Sequence, residues 1–132
     1  MTSKINTVFI VAGEPSGDIH AAKLVSALKV VSPKTKFLGN GGDKMAESGV
    51  EIIHHINDLS VMGFIEVVKH LPRLLHIMKN TLSAIKNIKP DRIILVDYPG
   101  FNLRLAKKIK KLKMDIPVTY FILPQLWAWK ES

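Results

Sequence analysis

Apolar positions fall into short uninterrupted runs that alternate with stretches of helical period, and this alternation organises the chain. Thr7–Ala12 (TVFIVA) is a β-rich apolar run ended by Gly13, the pattern of a central parallel strand buried on both faces. Ala21, Ala22, Leu24, Val25, Ala27 and Leu28 then recur at helical spacing from about Asp18 to Val31. Lys36–Leu38 predicts a second strand before a Gly39–Gly42 turn, Lys44–Ser48 a short helix closed by Gly49, and Val50–His54 a third strand. From Val61 to Ile88 the apolar residues keep a helical period, with Pro72 expected to kink or restart the helix. Arg92–Val96 (RIILV) predicts another buried strand, Leu103–Met114 a basic helix, and Val118–Leu123 a last strand.

Strands and helices in this order imply an α/β fold, a doubly wound and mostly parallel sheet with right-handed crossovers. In such sheets ligands bind beyond the carboxyl ends of the strands. The loops at 13–18, 97–102 and 123–130 are therefore the places to look for chemistry. At 132 residues, with 47% apolar and 23% charged, the chain has material for one domain core and is not disordered. It has no cysteine, so disulfides and thiolate chemistry are excluded, and a reducing compartment is the natural setting. Neither a signal peptide nor an apolar run long enough to span a bilayer is expected. The sheet ends on a loop where another element would normally follow, so a piece of a longer protein is expected.

The net charge of +8 is unevenly placed. Residues 1–66 hold six lysines against seven acids, whereas residues 67–132 hold thirteen Lys and Arg against four acids. A one-sided basic field points to an anionic partner: a nucleic acid, a phosphorylated ligand or an acidic membrane surface. No nucleic-acid motif accompanies it, and Lys107, Lys108, Lys110, Lys111 and Lys113 read as a solvated helix face.

Each loop offers specific candidates. GEPSGD, with Gly13, Glu14, Ser16, Gly17 and Asp18, lies between a buried strand and a helix N-terminus, where an anion or sugar hydroxyl can bind. Equally, Ser16 or Asp18 caps the helix while the glycines make the turn. The spacing is neither a dinucleotide fingerprint nor a P-loop. In VDYPGFN, Asp97 at the end of a central strand is placed to act as a base or orienting acceptor; capping is its alternative role. Asn102 suits either a helix cap or a sugar contact, and Tyr98 and Phe101 either packing or stacking. Trp127 and Trp129 suit sugar or lipid contact, or packing against a partner domain. Val61, Met62, Phe64 and Ile65, followed by Lys69, Arg73 and Lys79, resemble an interfacial membrane-docking segment; a core helix with a solvated basic face is the alternative, favoured for the second part of the segment. Histidines at 54, 55, 70 and 76 share no ligand spacing, so no metal site is expected.

Taken together, VAGEPSGD, GNGGDKMAESG, INDLSVMGFIEVVKHLPRLL, KPDRIILVDYPGFN and ILPQLWAWKES resemble, in that order, the N-terminal half of the bacterial lipid-A-disaccharide synthases. The resemblance implies a GT-B fold: two Rossmann-like domains facing each other across a cleft, of which residues 1–132 form the acceptor-side one. It implies transfer of diacylglucosamine from UDP-2,3-diacylglucosamine to 2,3-diacylglucosamine 1-phosphate, with release of UDP and no cofactor. Asp97 falls at the family's proposed general base. Glu14, Ser16 and Asp18 fall in the loop bordering the acceptor, and Val61–Ile65 on the apolar surface that receives acyl chains. A peripheral enzyme on the cytoplasmic face of the inner membrane is implied, with the anionic membrane surface as a partner.

This chain departs from the family at Gly100, where some members carry a second aspartate. It departs also in length: the donor-binding C-terminal domain is expected to lie outside these residues, and inactivity of the chain alone is expected. The competing reading is a non-catalytic flavodoxin-like module that binds an anionic ligand or partner.

Overall fold

The computed structural model describes residues 6–56 and 71–121. Five strands form one parallel sheet: β1 (Thr7–Ala12), β2 (Lys36–Gly41), β3 (Val50–His55), β4 (Arg92–Val96) and β5 (Val118–Phe121). Helices α1 (Pro15–Val31), α2 (Asp43–Glu47), α3 (Leu71–Ile88) and α4 (Pro99–Lys111) intervene. The spatial order is β3-β2-β1-β4-β5. The sheet thus runs one way from β1 and then the other, the Rossmann-like arrangement with its topological switch point between β1 and β4.

Alternation along the strands divides the core into two layers. Val8, Ile10 and Ala12 of β1 join Ala21, Val25, Phe37, Met45, Ile94 and Val96 under α1 and α2. Phe9 and Val11 point the other way and join Ile77, Met78, Ile85, Leu95, Phe101, Leu105 and Ile109 under α3 and α4. Phe101, Leu105 and Ile109, four residues apart, are the buried stripe of α4, while Lys107, Lys108, Lys110 and Lys111 are exposed as a solvated face. Each large side chain withdrawn from water in this way contributes about 1.5–3 kcal/mol.

Strands β1 and β4 occupy the residues the apolar runs predict. The expected turn at Gly39–Gly42 does not form: Gly39, Asn40 and Gly41 continue β2, with a register shift against β3 between Gly39 and Asn40. Gly39 has φ of 150°, and a Cβ there would lie 1.9 Å from the Ile10 carbonyl oxygen. This glycine therefore serves close approach of β1 within the sheet, not chain reversal. Helices α1 and α4 also begin earlier than expected, at Pro15 and Pro99, because proline is well placed in a first turn whose N–H groups are unbonded anyway. Pro72 lies in the first described turn of α3.

Candidate functional site

The carboxyl ends of β1 and β4 meet at the switch point, and both motif loops are tied down there. β4 ends at Val96, after which Asp97 and Tyr98 both take left-handed backbone conformations, with φ of 48° and 50°. Such geometry costs about 1–2 kcal/mol for each non-glycine residue, so the surroundings must enforce it. They do so through the main chain of Asp97. Its N–H donates to the Phe121 carbonyl at 2.9 Å, and its carbonyl accepts from the Tyr120 hydroxyl at 2.9 Å and the Asn102 side-chain amide at 2.8 Å. The Asp97 side chain is left projecting from a rigid corner, 18% exposed, with Oδ2 3.9 Å from Nδ1 of His20 on α1.

Asn102, a residue of the first turn of α4, is fully buried. Besides Asp97, its amide nitrogen reaches the carbonyls of Val96 at 3.3 Å and Val11 at 3.4 Å, stitching together the ends of β1 and β4. Its Oδ1 is buried without a hydrogen-bond partner among the described residues. The residue acts on the site from behind, by holding the Asp97 corner in place.

The GEPSGD segment splits into different jobs. Gly13 is required because the Tyr98 ring lies over it: a Cβ at Gly13 would come within 2.1 Å of the ring. Tyr98 in turn stacks on Phe101, with ring centroids 6.1 Å apart and planes at 27°. Glu14 is the N-cap of α1, yet its side chain makes no capping bond. The Tyr98 hydroxyl has its pKa raised, by burial first and the Glu14 charge second. Tyr120 is raised likewise, by burial and then the charge of Asp97. Ser16 is exposed in the first turn of α1, and Gly17 is buried, where an added Cβ would lie 3.4 Å from Ala12 and 3.6 Å from the Val96 carbonyl oxygen.

Asp18 caps a neighbouring helix and not its own. It is 5% exposed, and its carboxylate caps α2: Oδ1 accepts from the N–H groups of Gly42 (2.8 Å) and Met45 (3.0 Å), and Oδ2 from that of Lys44 (3.0 Å). A five-residue helix with glycine at its N-cap has no local means of satisfying those donors, so a carboxylate supplied from α1 does it.

The structure therefore gathers Gly13, Glu14, His20, Asp97, Tyr98, Asn102 and Tyr120 around one corner and directs Asp18 elsewhere. His20 and Tyr120 are absent from the sequence-level candidates, because their relation to Asp97 exists only through the fold. Trp127 and Trp129, and Val61, Met62, Phe64 and Ile65, lie outside the described residues. Among the described residues, no three His, Cys, Asp or Glu side chains gather as a metal site would require. No described helix is long and apolar enough to cross a membrane.

A parallel sheet in this order, with a rigidly held carboxylate at its switch point, defines a Rossmann-like domain whose candidate site is the β1/β4 edge. Comparison with known proteins narrows the class. The family model for lipid-A-disaccharide synthetase (LpxB) matches residues 8–132, and the chain belongs to that family. It is 49% identical over 125 residues to the lipid-A-disaccharide synthase of Myxococcus xanthus (strain DK1622), covering 95% of this chain and 32% of that protein. It is 44% identical over 132 residues to the synthase of Syntrophus aciditrophicus (strain SB), and 42% identical over 132 residues to that of Glaesserella parasuis serovar 5 (strain SH0165). Both alignments span the whole of this chain, and 33% and 34% of the respective relatives. The chain thus spans about a third of the length of the curated relatives it matches.

Proposed function

We propose that this chain is the acceptor-side part of a lipid-A-disaccharide synthase. In this reading residues 1–132 form one Rossmann-like domain of a GT-B enzyme, and a second domain holds the UDP-2,3-diacylglucosamine donor. The acceptor, 2,3-diacylglucosamine 1-phosphate, lies at the β1/β4 edge with its 6-hydroxyl against Asp97. The Asp97 carboxylate takes the hydroxyl proton as the acceptor oxygen bonds to the donor's anomeric carbon. The bond from that carbon to UDP breaks, UDP leaves with the electron pair, and the β-1,6-linked disaccharide remains.

The observation that carries this reading is the Asp97 corner: two consecutive left-handed residues, fixed by three main-chain hydrogen bonds, holding a partly exposed carboxylate at the switch point. A preorganised base of this kind loses little on meeting its substrate. Glu14 and Ser16, at the N-terminus of α1, border the acceptor. Trp127 and Trp129 contact its sugar or acyl groups, and Val61, Met62, Phe64 and Ile65 take its acyl chains at the membrane. The lysines of the basic half attract the chain to the anionic cytoplasmic face of the inner membrane, where it is peripheral.

A base that holds the acceptor cannot perform transfer without a positioned leaving group, so these 132 residues alone are inactive. The test is UDP release from UDP-2,3-diacylglucosamine and acceptor, with this chain alone and completed by the remaining two thirds of the family's length. Turnover only in the completed enzyme, lowered about 10²- to 10⁴-fold by Asp97→Ala, is the expected result. Turnover by the chain alone, or an Asp97→Ala enzyme of full activity, would refute it.

A further inference from the structure

His20 faces the Asp97 corner from α1, and no step above uses it. Its side chain is 33% exposed, yet Nδ1 is buried and has no hydrogen-bond partner among the described residues, while Asp97 Oδ2 lies 3.9 Å away. A buried ring nitrogen without a partner is unfavourable, and the neighbouring carboxylate oxygen is only about 1 Å beyond hydrogen-bonding distance. The backbone at Asp97 is pinned, so closure falls to side-chain rotation, a small change for either group.

We propose that His20 is a positioning residue for Asp97: Nδ1–H donates to Oδ2, turning the second carboxylate oxygen toward the acceptor hydroxyl. The catalytic meaning of the pair rests on the assignment of Asp97 as the base; the pair itself does not. A proton fixed on Nδ1 leaves Nε2 as the acceptor nitrogen, the inverse of the Nε2–H form that prevails for histidine in water. Holding one carboxylate oxygen with a donor also confines the aspartate to one rotamer, so the proton-accepting oxygen is in place before substrate arrives.

The first test is the ring tautomer of His20, read by ¹⁵N and ¹³C NMR of the neutral imidazole in this chain. The expected result is Nδ1–H in the wild type and reversion to Nε2–H in Asp97→Ala, with the amide spectrum confirming the fold of both. An Nε2–H form in the wild type, or a tautomer that ignores Asp97→Ala, overturns the pair. The second test is transfer by the completed enzyme. His20→Leu is expected to lower kcat about 10- to 100-fold with KM little changed. His20→Asn, whose amide N–H reaches the position of Nδ1, restores most of that loss, whereas His20→Gln does not. Wild-type kcat in His20→Leu overturns the positioning role. A tautomer that responds to Asp97 in an enzyme indifferent to Asp97→Ala instead locates the failure in the base assignment.

Discussion

Replacing Asp18 with alanine separates a structural carboxylate from a substrate-binding one. Three N–H groups at the start of α2 lose their acceptor, those of Gly42, Lys44 and Met45. Gly42 and Met45 are buried, and a buried donor left unsatisfied costs about 1–3 kcal/mol. Lys44 is exposed and its N–H can turn to water, so its loss is about 0.5 kcal/mol. Removal of a negative charge from a helix N-terminus adds a few tenths of a kcal/mol.

The expected destabilisation is about 3–7 kcal/mol, a large part of an ordinary domain's 5–15 kcal/mol. Asp18→Asn keeps Oδ1 for Gly42 and Met45 but turns an amide donor toward the Lys44 N–H, so about 1–2 kcal/mol is expected. Urea unfolding followed by circular dichroism reads both, provided the slope m is unchanged. A loss below about 1 kcal/mol in Asp18→Ala, together with lost acceptor binding, would refute the capping role and return Asp18 to the substrate site.

Other perturbations probe the same corner. Gly13→Ala drives a Cβ into the Tyr98 ring and should destabilise by about 1–3 kcal/mol; Tyr98→Ala in the same chain should recover part of it, as a double-mutant cycle would show. The chain's two tyrosines, Tyr98 and Tyr120, both have raised pKa values, so tyrosinate absorbance should develop above the usual pH of about 10. The unfolded chain sheds those protons first, so their contribution to stability is complete below pH 10 and is lost as pH rises through the folded values. Midpoints at or below 10 for both would contradict the burial described. Tyr120→Phe removes one of the bonds pinning the Asp97 carbonyl and should cost about 1 kcal/mol in unfolding experiments.

Apolar runs made the central strands easy to read, since Thr7–Ala12 and Arg92–Val96 are buried on both faces and bounded by punctuating residues. Glycine was the ambiguous sign: Gly39 and Gly41 look like a turn in sequence, but Gly39 serves a strand that passes too near the Ile10 carbonyl of β1 for a side chain, and a Cβ at Gly41 would meet the Met45 side chain. The position of Asp97 at the end of a central strand was legible in the apolar run that precedes it. Asp18 was not, because its partners lie 24 to 27 residues further on and belong to a helix too short to announce its need for a cap. His20 looks like any histidine on a helix until β4 brings Asp97 beside it. Asn102 reads in sequence as a helix cap or a sugar contact; its burial behind the corner is a property that no spacing discloses.

The most direct test of the account is titration of this chain with 2,3-diacylglucosamine 1-phosphate in detergent micelles. Native protein, Asp97→Ala and the double change Trp127→Ala, Trp129→Ala would be compared, with circular dichroism confirming each fold. The account predicts saturable binding that weakens at least about tenfold, or 1.4 kcal/mol, in Asp97→Ala and falls also in the double variant. Folded protein that shows no saturable binding, or binding indifferent to Asp97, would contradict the placement of the acceptor at the β1/β4 edge.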